Sequence, residues 1–227
     1  MCVNYTPSKR QEIIDYFQAS IATDATWPEE TWQDYLAPII GTGVGDKRQA
    51  SVANFGMVPK RHIPQGVKPW SSMNARTETI GQKRTFSTFW RKCQFCLVPM
   101  SSFCEPNWET GKAERWKIGM ADGAPFAVAG LWRAWHEPDT SETFSFTLLT
   151  VNANDHPLLK RFHKPAAPKE PEDKRSLVIV PPADWDAWLH CTDSEIARSF
   201  LRPYPAELLA AHPAPRPVAR KKEVKKD

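Results

Sequence analysis

The sequence predicts an α+β fold, a single domain built on a mainly antiparallel sheet or open β-barrel that is flanked by helices and followed by a disordered basic C-terminal tail. Three observations predict it. From Ser51 to Val151 short apolar runs alternate with turn residues, which is the pattern of strands. Helix-start signals lie before and after that stretch. From about Pro205 the composition shifts to alanine, proline and lysine, too poor in large apolar side chains to extend a core. With 227 residues the chain can bury one sizeable core and is short for two, so the domain is placed at residues 2–205 and the tail at 206–227.

Ser8-Lys9-Arg10-Gln11 has the form of a capping box, and Ile13, Ile14, Phe17 and Ile21 then recur at helical spacing, so an amphipathic helix opens the chain. Trp27-Pro28-Glu29-Glu30 sets a proline where a first helical turn tolerates it and acids where the positive helix end favours them, which predicts a second short helix. Gly41-Thr42-Gly43-Val44-Gly45 lacks the Gly-Lys-Ser/Thr of a phosphate loop and reads as a turn. The strands follow at Val52 to Phe55, Phe95 to Val98, Trp116 to Met120, Phe126 to Trp132 and Phe144 to Val151, with Asp122-Gly123 predicting a hairpin between the third and fourth. Leu177 to Val180 gives another strand after a proline-rich loop from Pro165 to Arg175. Thr192-Asp193-Ser194-Glu195 then opens a helix to about Leu201, and a short helix precedes the tail.

Charge is informative by its placement. The net +4 comes from the tail, where six Lys or Arg after His212 face Glu223 and Asp227, leaving 24 basic and 24 acidic residues in the body. Inside that neutral body, Val58 to Lys92 holds eight basic residues against Glu78 alone, with Trp70, Phe86, Phe89 and Trp90 interleaved. Cations that follow a phosphate backbone and aromatic faces that stack bases are what single-stranded nucleic acid binding favours. No apolar stretch is long enough for a membrane span and the N-terminus lacks a secretory layout, so the expected location is cytoplasmic, nucleoid-associated when bound to DNA. Five cysteines in a reducing compartment read as free thiols; Cys93-Gln94-Phe95-Cys96 has half the spacing of a zinc knuckle and no second pair follows, so no metal and no other cofactor is expected.

Cys2 is the sharpest candidate for chemistry. Removal of Met1 would leave an α-amine and a thiol on one residue. Such an aminothiol condenses with an aldehyde through its amine, whose ordinary pKa is about 8, and the adjacent sulfur then closes a five-membered thiazolidine. A ring-opened abasic site in DNA offers that aldehyde. Many chains begin Met-Cys with nothing catalytic implied, so the remaining sequence has to carry the assignment.

Met1-Cys2, Phe55 to Pro59, Asn74-Ala75-Arg76-Thr77-Glu78-Thr79, Cys96 to Pro99 leading to Glu105, Asp122 to Phe126, Ala129 to Trp132, Thr150 to Asn154, His163 and Pro181 to Leu189 together resemble the SOS response-associated peptidase family, whose members crosslink to abasic DNA. The resemblance implies a sensor of abasic sites in single-stranded DNA, a monomer, that forms a covalent DNA–protein crosslink with accompanying reversal or lyase activity and self-processing of Met1. Four residues would be catalytic. Cys2 would be the nucleophile, Asn74 would hold its amine and the opened sugar, Glu105 would act as general acid or base, and His163 would move protons during ring opening. Arg76, two residues beyond Asn74 and on the same strand face, would contact phosphate, with Trp70, Lys60, Arg61, Lys68 and Thr150 completing the DNA surface.

The chain departs from the family pattern in places. Val3-Asn4 stands for the usual Gly-Arg, Cys104 for the tyrosine before the carboxylate, and His163-Lys164-Pro165 for His-Asp-Arg-Met-Pro, with His156 a competing histidine. Two other readings stay open: a cysteine peptidase with Cys2 as N-terminal nucleophile, and a non-covalent single-strand binding module.

Overall fold

The computed structural model describes residues 2–216. Its strands are β1 (Asn4–Pro7), β2 (Leu36–Thr42), β3 (Arg48–Phe55), β4 (Asn74–Arg76), β5 (Phe95–Asn107), β6 (Glu114–Met120), β7 (Phe126–His136), β8 (Glu142–Asn152), β9 (Arg175–Leu177), β10 (Ile179–Val180) and β11 (Leu209–Pro213). Four short helices accompany them: α1 (Arg10–Asp15), α2 (Ser87–Arg91), α3 (Trp185–Leu189) and α4 (Ser194–Ala197).

The strand order β7-β8-β3-β2-β5 closes on itself, because β5 pairs with β7 as well as with β2. The expected barrel is therefore closed, with five strands and additional strands attached to its rims. Alternation along each strand makes two cores. Val98, Met100, Phe55, Phe146 and Leu148 fill the barrel, whereas Leu97, Leu131, Leu149 and Val178 point outwards, under the helices, against Ile13, Phe17, Trp90, Trp185 and Trp188. Full burial of each such aliphatic side chain contributes about 1.5–3 kcal/mol, so the amphipathic alternation is enough to fix register on both faces.

β5 carries the architecture. Its first half, Phe95 to Met100, pairs with β7, and its second half, Phe103 to Asn107, pairs with β6, while β1 lies along Met100 to Cys104. This explains a departure from expectation at Asp122-Gly123. Gly123 takes a left-handed turn (φ 77°), but β6 and β7 do not pair: each is joined to a different half of β5, so the turn is a corner and not a hairpin. The sheet is also not wholly antiparallel, since β3 and β4 both run parallel to β8.

The first helix starts at Arg10 with Lys9 as cap, whose backbone N–H reaches Glu12, and it ends by Asp15. The predicted helix at Trp27–Glu30 is absent. Trp27 donates to the Ser8 carbonyl and Thr31 exchanges backbone hydrogen bonds with Tyr5, so extended pairing has taken the groups a helix would use. At the other end α4 starts where the sequence suggests, but its cap is Asp193, which accepts from the N–H groups of Glu195 and Ile196, and not Thr192, the first residue of the predicted capping box. A 3-10 turn at Ala206–Leu208 follows, and then β11 adds to β6, so structured sheet continues past residue 205. Residues 217–227, half of the predicted tail, lie outside the described residues.

Candidate functional site

The site forms where four segments meet at one mouth of the barrel. β1 enters antiparallel to β5 with Asn4 opposite Cys104, which sets Cys2, two residues upstream, beside the end of β5. Cys2 is fully buried and its thiol contacts the Asn4 carbonyl at 3.5 Å. Burial, and then the charge of Glu105, push this thiol well above the usual cysteine range, so it rests protonated.

β4 delivers Asn74 by pairing it with Leu148 of β8. Ala75 turns into the outer core while Asn74 and Arg76 face the other way, as strand periodicity requires. The Asn74 amide donates to the Cys2 carbonyl at 2.7 Å. Its Oδ1 is buried with no hydrogen-bond partner among the described residues, which leaves an acceptor for an incoming N–H or O–H.

Glu105 follows Phe103 by two residues and so shares its inward face; it is 6% exposed. His163 is brought to it by the backbone. Its N–H donates to the Pro106 carbonyl at 2.9 Å and its own carbonyl accepts from Lys174 Nζ at 3.1 Å. His163 is left-handed (φ 67°), a conformation that costs a non-glycine residue about 1–3 kcal/mol and needs such anchoring. Its Nε2 sits 3.0 Å from Glu105 Oε2, an ion-pair contact once the ring carries a proton, but neither ring nitrogen has an in-line hydrogen bond. Both remain available for proton traffic.

Cys2, Asn74, Glu105 and His163, spread over 162 residues of chain, thus come together. His156 does not join them. It is buried, with Nδ1 accepting from the N–H groups of Leu158 and Leu159 and Nε2 donating to the Tyr204 carbonyl, a structural role that uses both nitrogens.

The residues expected to touch DNA are more scattered. Trp70 is 40% exposed, and Lys60 and Lys68 are on the surface. Arg76 is exposed but paired with Asp173. Arg61 is engaged with Glu137, Thr143 and Asn54, about five residues along β8 from the Asn74 register, or roughly 17 Å. Thr150 departs from expectation: at 1% exposure, with its hydroxyl on the Ala75 carbonyl, it lies within the sheet and presents no surface.

Sequence reasoning missed Arg175. Its buried guanidinium grips both oxygens of Glu78 at 2.9 and 2.8 Å and donates to the Thr150 carbonyl at 2.7 Å. The glutamate of the Asn-Ala-Arg-x-Glu-Thr segment therefore ties β4 to β9. The missed signal was an arginine opening the Arg175–Leu177 strand, where an apolar residue is expected. Lys174, which holds the His163 carbonyl, gave no sequence signal.

Comparison with known proteins places the chain in a family. The family described as SOS response associated peptidase matches residues 1–221. The abasic site processing protein YoaM of Bacillus subtilis (strain 168) is 25% identical over 225 residues, covering 93% of this chain and 90% of that protein. A crystal structure of a Bordetella bronchiseptica protein has a TM-score of 0.80 and 32% identity, covering 94% of this chain and 99% of that one. A Bacteroides thetaiotaomicron structure, at 20% identity, shares the fold with a TM-score of 0.71, covering 93% and 91% of the two chains. Matched along nearly its whole length, the chain belongs to the SOS response associated peptidase family.

Proposed function

We propose that this protein processes abasic sites in single-stranded DNA by capturing them covalently on Cys2 once Met1 has been removed. Family membership and the likeness to an abasic site processing protein support action on abasic DNA. The observation that carries the finer reading is the convergence of Cys2 with Asn74, Glu105 and His163 at one barrel mouth.

In this reading the Cys2 α-amine adds to the C1′ aldehyde of the opened sugar. Loss of water then gives an imine. Glu105 and His163, in contact with each other, pass the protons that carbinolamine formation and dehydration require. The Cys2 sulfur adds to the imine carbon as its proton passes to nitrogen, and the thiazolidine closes. A thiol held protonated suits this order, because the amine reacts first and the sulfur need be activated only when the electrophile is beside it. Asn74 fixes the Cys2 carbonyl, and its free Oδ1 is an acceptor for the amine or a sugar hydroxyl.

The test is incubation with a labelled oligonucleotide carrying one abasic site, followed by denaturing electrophoresis. A shifted band that is lost in Cys2→Ala and on acetylation of the α-amine is expected. Peptide cleavage without any shifted band would replace this reading with the peptidase one, and equal retention of intact and abasic strands without a covalent band would favour a plain binding module.

A further inference from the structure

One cation of the barrel wall has no anion among the described residues. Arg133 lies on the outer face of β7, opposite Ser145. Its guanidinium is held between two ring faces, 3.4 Å from the centroid of Trp135 and 4.9 Å from that of Phe89 on α2. The far face of Trp135 is covered by His62, stacked at 3.9 Å with the planes 7° apart. Aromatic faces attract a guanidinium from above and below, but its five N–H donors lie in the plane and point outward, where the rings accept nothing. The Arg133 side chain has no hydrogen bond and no ion pair among the described residues, and its buried Nε is unpaired. Burial lowers its pKa from the ordinary guanidinium value, and no carboxylate contributes to offset that. The nearest acid along the strand, Glu137, is already taken by Arg61, His62 and Thr143.

The two rings thus hold a guanidinium whose terminal N–H groups have no acceptor among the described residues. Arg76, the cation expected to hold phosphate beside the reacting sugar, is by contrast occupied by Asp173. Three residues of β8 separate Ser145, opposite Arg133, from Leu148, opposite Asn74, which is roughly 10 Å along the strands. The side chains of Lys83, Arg84 and Lys92, in the segment that leads into and out of α2, are likewise without partners among the described residues.

We propose that Arg133 is a phosphodiester-binding site, a second anchor that takes a backbone phosphate of the single strand outside the reactive mouth. The inference rests on the single-strand reading above and extends it to a contact on the barrel wall. Both faces of Trp135 are occupied, so no base stacks there. The contact reads charge and ignores sequence.

The experiment measures affinity for an intact single-stranded oligonucleotide as a function of salt, and crosslinking yield on an abasic one, for the mature protein, Arg133→Gln and Arg133→Lys. One phosphate contact to a single strand contributes about 0.7 to the slope of log K against log salt. Arg133→Gln is expected to lose about that much slope, for poly-dT and mixed sequences alike, and Arg133→Lys to keep it. Crosslinking at saturating DNA should be unchanged in both. Circular dichroism over the same salt series, showing an unchanged folded fraction in each variant, assigns a slope change to the contact and not to unfolding. An unchanged slope in Arg133→Gln, or a loss confined to one base composition, overturns the anchor while leaving covalent capture standing. Slope loss in a protein that never crosslinks would keep the anchor and remove the capture chemistry. Absence of any strand binding by the unmodified protein overturns the anchor as well.

Discussion

Replacing Arg175 by methionine should loosen the strand that presents Asn74, and the structure gives the size of the effect. The guanidinium is 4% exposed and makes two parallel hydrogen bonds to Glu78 and one to the Thr150 carbonyl. Breaking a fully buried pair costs about 3–5 kcal/mol. Here the Glu78 side chain is 48% exposed and can turn to water, and the Thr150 carbonyl keeps its bond from Thr77, so the loss falls to about 2–3 kcal/mol. For a domain of about 200 residues that is a fall in Tm of roughly 4–12 °C. The pH dependence has a definite sign. Burial raises the Glu78 carboxyl, but the Arg175 hydrogen bonds, with those of backbone groups, outweigh it and leave the pKa below the usual carboxylate range. The folded state then binds fewer protons than the unfolded one, so this stability is full above the ordinary carboxylate pKa and is lost as pH falls through the folded value. Melts followed by circular dichroism at neutral pH and near pH 3 should show the gap between Arg175→Met and the unmodified protein narrowing in acid. Crosslinking at neutral pH should slow with it. A Tm fall that is the same at both pH values, or none at all, would refute the assignment.

Other outcomes follow from the same geometry. A Cβ on Gly130 would lie 2.9 Å from Cys96 Sγ and 2.9 Å from the Thr147 carbonyl, so Gly130→Ala should cost about 1–3 kcal/mol in denaturant melts. Glu105→Gln removes the second of the causes that raise the Cys2 thiol; the pH midpoint of Cys2 alkylation in Met1-free protein should move down while burial keeps it above the ordinary range, and an unmoved midpoint would place Glu105 elsewhere. His156→Ala and His163→Ala should differ in kind: the first loses three structural hydrogen bonds and should lower Tm, while the second should melt almost normally and fail to crosslink.

How far the sequence could be read depended on the range of the interactions involved. The start of α4 and the buried Ile13 of α1 are local, and cap chemistry with periodicity found both, although the α4 cap falls on Asp193, one residue after the expected Thr192, and Phe17 lies beyond the end of α1. Trp27-Pro28-Glu29-Glu30 carried an equally good local signal, but pairing of Tyr5 with Thr31 overrode it from 26 residues away. Asp122-Gly123 correctly predicted a turn, yet which strands pair across it was decided by the length of β5. Thr150 failed for a similar reason: its place in a matched segment said nothing of its being enclosed between β4 and β9.

The four candidate catalytic residues were legible only as a matched set, because no local rule distinguishes Glu105 from a solvated acid at a strand end. Their assembly is a consequence of closure. β5 must run past the barrel rim to pair with β6, and that overhang carries Glu105 and the Pro106 carbonyl that seats His163. β1 lies against the same overhang and so delivers Cys2 beside it, and β4 reaches the rim through its parallel register with β8. A register slip of one residue in β5 would turn Glu105 outward and Cys104 inward. The closed barrel, with apolar layers locking both faces, prevents that slip, and so the stability of the core is what holds the carboxylate, the imidazole and the thiol within reach of one another.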